Sequence, residues 1–421
     1  MRTIFIGCLL TLVALILSCG GDSNQTSDGQ KIIRFWQFWT EPNVKAVIEK
    51  AVADFETENP EYKVEITDLT WSDGHQKIVA AFSSGDVPDL LELGSDWIAE
   101  FAAANALTDL SSEYNRIGDQ YVGWPSGIYD GRCWAMPWYL STRVLYINNK
   151  LALRSGMHRN RPPVTWDELE QDSRFANRFK PEFYGYGVPA AEKHVLYKKF
   201  LPFLWTNGGD ILEPDSAMGS RCALQSRAAT EALQFLVDLS QFGIMEKQKV
   251  LDDLFMSGHL LFNLSGDWLY RRIDEANLDL DYYVAPIPIR TPEMGTPKSF
   301  AGGEFLTIPR PAREPLGAIK LARFLLSGKN ILNLCVATGS ATPVKIETGD
   351  NIYFSDDPIK QVFMQQLVTS KSPPVNPHWV QIEAELEWGI EQALYQKLTV
   401  EDALAQTCER INKILAQPPN Q

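Results

Sequence analysis

The chain is short of the residues and patterns that carry enzyme chemistry. Its five histidines, His75, His158, His194, His259 and His378, are scattered and cannot form a close ligand pair on one helix. None of its six cysteines belongs to a C-x-x-C, and no pair has zinc-ligand spacing, so no metal site is expected. It has no G-x-S-x-G, H-E-x-x-H, Walker phosphate loop or EF-hand loop. Gly185-Tyr186-Gly187-Val188-Pro189-Ala190 imitates a dinucleotide fingerprint, but Pro189 stands where the helix should run. No suitable acidic residue follows, and no cofactor is expected. Positive charge is also scarce. There are 39 Lys and Arg against 53 Asp and Glu, a formal net charge of −14. That balance argues against nucleic acid or anionic lipid as the main partner and serves solubility.

What is present suits a sizeable folded protein. At 421 residues the chain exceeds what one core supports, so two domains are expected. Its 45% hydrophobic and 22% charged content is ordinary for a globular chain. Met1-Arg2 and the apolar run Ile4 to Leu17 read as a signal peptide over residues 1–18, too short for a comfortable membrane span. Ile16-Leu17-Ser18-Cys19 resembles the bacterial lipobox, which implies cleavage ahead of Cys19 and its lipidation. Residues 19–30 then form a flexible polar tether. An exported compartment permits disulfides, but the spacing of Cys133, Cys222, Cys335 and Cys408 selects no pair. Cys408 shares a helical stripe with Leu404, Ile411 and Leu415. Free, mostly buried thiols are the expectation.

Past the tether, strands alternate with helices. Ile32 to Trp39 is apolar on both faces, as in a strand covered by helices on each side. Thr40 can cap the next helix, with Pro42 in its first turn. Strands are expected at Lys63 to Leu69, Pro88 to Leu93, Val144 to Ile147 and Tyr184 to Val188. The order predicts an α/β fold with mostly parallel sheets. Aromatic residues beside short polar ones recur where strands end. They are Trp39-Thr40-Glu41, Trp71-Ser72-Asp73, Ser95-Asp96-Trp97, Trp138 to Ser141 and Asp267-Trp268, with Trp379 in a Pro-rich connector. Ligands bind beyond the carboxyl ends of strands in such sheets. Rings that stack on a C–H face, and carboxylates that take hydroxyl pairs, suit an uncharged saccharide.

Several motifs make the chain resemble the extracellular solute-binding proteins of bacterial ABC transporters, in the group that contains maltose-binding protein. They include Phe55 to Val64 with its Asn59-Pro60, Ser84-Gly85-Asp86-Val87-Pro88-Asp89-Leu90, and Leu145 to Lys150. Pro163 to Leu169, Thr206 to Asp210, Phe262 to Trp268 and Gly302-Gly303 continue the match. The resemblance implies a two-lobed periplasmic-binding-protein-like fold. Residues 31–141 and 298–340 would form the N-terminal lobe, and 142–297 and 341–421 the C-terminal lobe. The hinge would cross near Ser141 to Val144, Ile289 to Lys298 and Gly339 to Pro343. It implies ligand contacts at Trp39, Thr40, Glu41, Ser95, Asp96, Trp97, Trp138, Ser141, Asp267, Trp268, Gly302, Gly303, Glu304 and Trp379. In place of an acidic contact in the maltose binder, this chain has Ser141 or Thr142.

The expected protein is therefore a monomeric, lipid-anchored, extracytoplasmic receptor. It would hand a saccharide to an ABC permease complex. Two other classes compete. A glycoside hydrolase would use two of Asp96, Asp267 and Glu304 at a carboxyl separation of about 5 to 9.5 Å. A sensor for a membrane kinase or chemoreceptor would use the same pocket. A phosphate ligand would want clustered Arg or Lys, and a polyamine could exploit acids and rings.

Overall fold

The computed structural model describes residues 25–190, 192–216 and 219–418, so the expectations for the leader and for Cys19 lie outside the described residues. In chain order the strands are β1 (Lys31–Gln37), β2 (Tyr62–Asp68), β3 (Leu90–Gly94), the short hairpin β4 (Ile128–Tyr129) and β5 (Arg132–Cys133), β6 (Met136–Thr142) and β7 (Val144–Asn148). They continue as β8 (Tyr184–Pro189), a second hairpin of β9 (Leu212–Asp215) and β10 (Gly219–Cys222), β11 (Gly243–Glu246), β12 (Leu260–Ser265), β13 (Tyr282–Ala285) and β14 (Ala301–Thr307).

Two sheets of the same design organise the molecule. The first runs β2-β1-β3-β14-β6 and the second β11-β8-β12-β7-β13. In the first, β2, β1, β3 and β6 share a direction and β14 alone opposes them. In the second, β7 alone opposes the other four. Among its four parallel strands, each sheet thus places the first between the second and third, and the two neighbours of that strand leave a cleft at their carboxyl ends. The opposed strands, β7 and β14, are the ones that follow a passage from one lobe to the other.

Local chemistry explains the elements. Pro42 opens the helix Pro42–Glu58, whose Val44, Ile48, Ala51, Val52 and Phe55 are buried on the face that packs on the first sheet. Its cap is Glu41 with no side-chain bond, not Thr40, which is exposed. Thr165 and Glu168 make a capping box on the helix Trp166–Ala176. Ser95 does not cap a helix: Trp97 precedes Ile98–Ala103, while the Ser95 hydroxyl donates to Asp96. Asp89 of the Ser84 to Leu90 motif is fully buried and accepts from the backbone N–H groups of Arg34, Arg313 and Glu314. It ties β1 to the loop after β14, which accounts for an acid at that position.

The first sheet carries one core; the second carries a large one and a smaller one built on Val144, Tyr146, Leu251 and Phe255. Phe35, Leu91, Leu93 and Phe305 belong to the core of the first sheet, and Ile147, Tyr186, Phe262 and the helices Trp379–Leu394 and Val400–Leu415 to the large core of the second. The chain passes between lobes at Arg143, where β6 gives way to β7, and again between Ala285 and Ala301. Phe300, expected in the first lobe, packs into the second core, because its ring lies against Tyr197. Val344 and Phe354, expected in the second lobe, pack into the first core. The expectation of free thiols also fails for one pair. Cys222 and Cys408 form a disulfide that pins β10 to the last helix, whereas Cys133 and Cys335 are free and buried.

Candidate functional site

A cavity of about 650 Å³ lies between the sheets, within the usual range of about 300–1,000 Å³ for small-molecule sites. Strand ends supply most of its walls. Trp39 and Glu41 follow β1, Trp71 and Ser72 follow β2, and Asp96 and Trp97 follow β3. From the second lobe, Glu192 to Val195 and Lys198 follow β8, and Trp268 and Arg271 follow β12. Tyr139 and Ser141 of β6, Gly302 to Glu304 of β14, and Arg143 from the lobe crossing complete the floor. Gly303 is required there. A Cβ would stand 2.0 Å from the Tyr139 carbonyl oxygen, where β14 shifts register against β6.

Nine of the fourteen expected ligand residues are thus gathered, and five are not. Thr40 faces solvent, and Ser95 lies behind Asp96. Asp267 is fully buried one bond away from the cavity, accepting from Tyr139 and Ser141. Trp138 and Trp379 are core. The first packs against Phe35 and the second, 1% exposed, against Tyr197. Side chains on adjacent strand positions point to opposite faces, so Tyr139 takes the cavity position expected of Trp138.

The aromatic walls differ in what they offer. Trp71 is 46% exposed and stacks on Phe38 at 4.3 Å between centroids, with 20° between planes. It also lies 5.4 Å from the Trp97 ring, and its exposure makes it the most accessible tryptophan in the cavity. The Trp39 ring meets the Tyr139 ring edge-on at 4.9 Å, and its indole Nε1 is buried without a partner. Trp268 already carries the Arg143 guanidinium on its ring at 4.5 Å and donates its N–H to Asp252, so it has less area to give.

Charges on the floor are largely paired. Burial alone would raise the Asp96 carboxyl, but Lys198 at 3.7 Å and the Tyr197 hydroxyl at 3.0 Å outweigh it and hold the group below its usual value. Burial raises Asp267, and Arg143, Ser141, Ala341 N–H and Tyr139 offset only part of that. Arg143, buried and lowered for that reason, donates to Ser141 and the Thr142 carbonyl. Glu304 differs. Burial, with Asp96 and Asp267 nearby, pushes its carboxyl up to about 8 against the pull of Lys198 and Arg143. Its neighbour on β3, Glu92, is raised well above the ordinary value by burial and by Glu304 itself.

The second-lobe wall is held from behind. Glu387, on the helix Trp379–Leu394, accepts from the backbone N–H groups of His194 at 3.0 Å and Val195 at 3.0 Å. The His194 ring bonds to Glu383 of the same helix, and His194 has a left-handed backbone with φ of 65°. No apolar periodicity marks residues 192–195, so the role of this loop could not be read from the sequence. Trp71, by contrast, carried the recurring aromatic-plus-polar signature. Among the described residues no group of three or more His, Cys, Asp or Glu could hold a metal ion.

Residues 50–359 match the family model described as bacterial extracellular solute-binding protein. The diacetylchitobiose-binding protein DasA of Streptomyces coelicolor is 23% identical over 394 residues, covering 88% of each chain. The sugar-binding protein MalE of Xanthomonas citri superposes with a TM-score of 0.79 at 24% identity, covering 92% of this chain and 98% of that one. A Thermotoga lettingae ABC-transporter solute-binding protein, solved with alpha-D-tagatose, gives 0.81 at 23% identity, covering 92% and 100%.

Proposed function

Because the chain belongs to the bacterial extracellular solute-binding protein family, we propose that it captures a saccharide, preferably an oligosaccharide, in the interlobe cavity and delivers it to an ABC importer. The observation that carries this reading is the cavity itself. Ring faces and carboxyl groups from both lobes converge on one space, with Trp71, Trp39 and Tyr139 on one side and Trp268 across from them. A sugar needs that pairing of apolar faces with hydrogen-bonding groups. Of the cations that line the cavity, Lys198 pairs with Asp96 and Arg143 donates to Ser141 and Thr142, while Lys193 and Arg271 also reach it, so a phosphate ligand is the competing class to test.

In this reading the nine gathered residues are the contacts, joined by Trp71, Tyr139 and Arg143, and the protein binds without transforming its ligand. A monomer is sufficient, since both walls come from one chain. The leader and Cys19 would anchor it by lipid at the outer face of a membrane. No helix among the described residues is long and apolar enough to cross one.

Thermal-shift and calorimetric screening against neutral di- and trisaccharides tests the reading, with glycerol 3-phosphate and spermidine as counter-probes. A ligand selective for the native state raises its apparent stability. Saccharide-dependent stabilisation without release of new reducing ends is the expected result. Stabilisation by glycerol 3-phosphate or spermidine alone, or hydrolysis of the oligosaccharides, overturns it.

A further inference from the structure

One carboxyl on the cavity floor lacks the partner that its neighbours have. Glu304 lies on β14 between Gly94 of β3 and Tyr139 of β6, and its Oε2 is buried without a hydrogen-bond partner. Asp96 holds Lys198 and Tyr197, and Asp267 holds Ser141 and Tyr139. The charged groups acting on Glu304 are Asp96 and its partner Lys198, and Asp267 with Arg143. Glu92 stands behind it on the same sheet, with Glu41 beyond Glu92. Both cations are thus shared with carboxylates of their own, and what remains around Glu304 is negative. An anion placed there, out of water and without a donor, is costly.

We propose that Glu304 meets the ligand as an uncharged carboxylic acid, donating a hydrogen bond to an acceptor oxygen of a neutral ligand such as a saccharide hydroxyl. The choice of ligand rests on the reading given above; the state of the carboxyl does not. The upward displacement to about 8 supports it, since burial favours the protonated group near neutral pH. The geometry is independent support: the buried Oε2 has no hydrogen-bond partner to reward a negative charge there, while the residue itself lines a cavity in which a ligand can supply an acceptor. Recognition through a neutral acid leaves no net charge to desolvate when the lobes meet, and it ties affinity to pH.

Two measurements on the intact mature protein test this. The first needs no ligand. In infrared difference spectra near neutral pH, wild type minus Glu304→Gln should show the carbonyl stretch of a neutral carboxylic acid. A carboxylate pair of bands in its place overturns the proposal. The second is calorimetry with maltotriose and N,N′-diacetylchitobiose across alkaline pH. Affinity should hold below about pH 7 and fall toward about tenfold per pH unit above about pH 8. Glu304→Gln keeps a donor, so it should bind more tightly than Glu304→Ala and lose the alkaline decline. A wild-type affinity that is flat or rises with pH, or Gln and Ala variants equally weak, overturns it. If the acid band is present and neither saccharide binds, the saccharide reading fails and the carboxyl assignment keeps its support.

Discussion

At the scale of single residues, exposure separates the rings that can bind from those that only pack. Trp71→Ala should weaken saccharide affinity by about two- to tenfold, corresponding to roughly 0.5–1.5 kcal/mol of aromatic contact. The melting temperature should move little, because the ring is 46% exposed. An unchanged affinity by calorimetry would remove Trp71 from the site. Trp379→Ala should do the reverse, opening a hole in the second core at about 3–5 kcal/mol. Glu304 also has a stability signature. Its folded value of about 8 lies above the ordinary 4.5, so between those values the native state binds the extra proton. Stability should therefore fall as pH rises from about 4.5 to about 8, and Glu304→Gln should flatten that part of the profile in thermal melts. Tryptophan itself could be found in the sequence; which tryptophans face the cavity could not. Trp138 and Tyr139 differ by one position on β6, and that single step moves a ring from the cavity to the core. Trp379 starts a helix, where strand-end reasoning has no purchase.

At the scale of elements, the alternation of strand and helix was legible because each strand is an apolar run bounded by breakers, and each helix has one buried face. That carried the α/β class and the placement of Trp39, Asp96 and Trp268 beyond strand ends. Two things were not legible, both being contacts between distant segments. Cys222 and Cys408 are 186 residues apart, and the helical stripe around Cys408 argues for burial whether or not it is bonded. Cys222→Ser with Cys408→Ser should cost about 2–4 kcal/mol in denaturant unfolding, since the bond constrains a long loop. Saccharide affinity should be retained, as neither cysteine lines the cavity. The loop after β8 was the other. Glu387 holds it from a helix some 190 residues later, accepting the N–H groups of His194 and Val195. Glu387→Ala should loosen residues 192–195, seen as faster amide exchange there, and weaken binding. Glu387→Gln, whose single amide oxygen can accept from only one of the two N–H groups, should restore part of the protection. Equal exchange in all three proteins would show that the loop holds itself.

At the scale of the whole molecule, the two lobes touch through groups that ring the cavity. Asp96 of the first lobe accepts from Tyr197 of the second at 3.0 Å and pairs with Lys198. At another rim, Asn43 donates to Glu275 at 3.1 Å. Near the crossing, Tyr139 and Ser141 donate to Asp267. If the lobes part about the crossing at Arg143, contacts of the last kind would change least, whereas those at the rim would be lost. A ligand shifts the balance only by what it gains on closure. Rim bonds add to that gain without touching the ligand. Tyr197 isolates the effect, because its ring packs on Trp379 and Phe300 while its hydroxyl alone crosses to Asp96. Tyr197→Phe keeps the packing and removes about 0.5–1.5 kcal/mol of closed-state hydrogen bonding. Saccharide affinity should drop about two- to tenfold, chiefly through faster dissociation. Small-angle scattering at subsaturating saccharide should show a larger open fraction than in the wild type. Identical dissociation rates and scattering would mean that the Asp96–Tyr197 bond persists in the open form, and closure would then have to be driven by the ligand's own contacts.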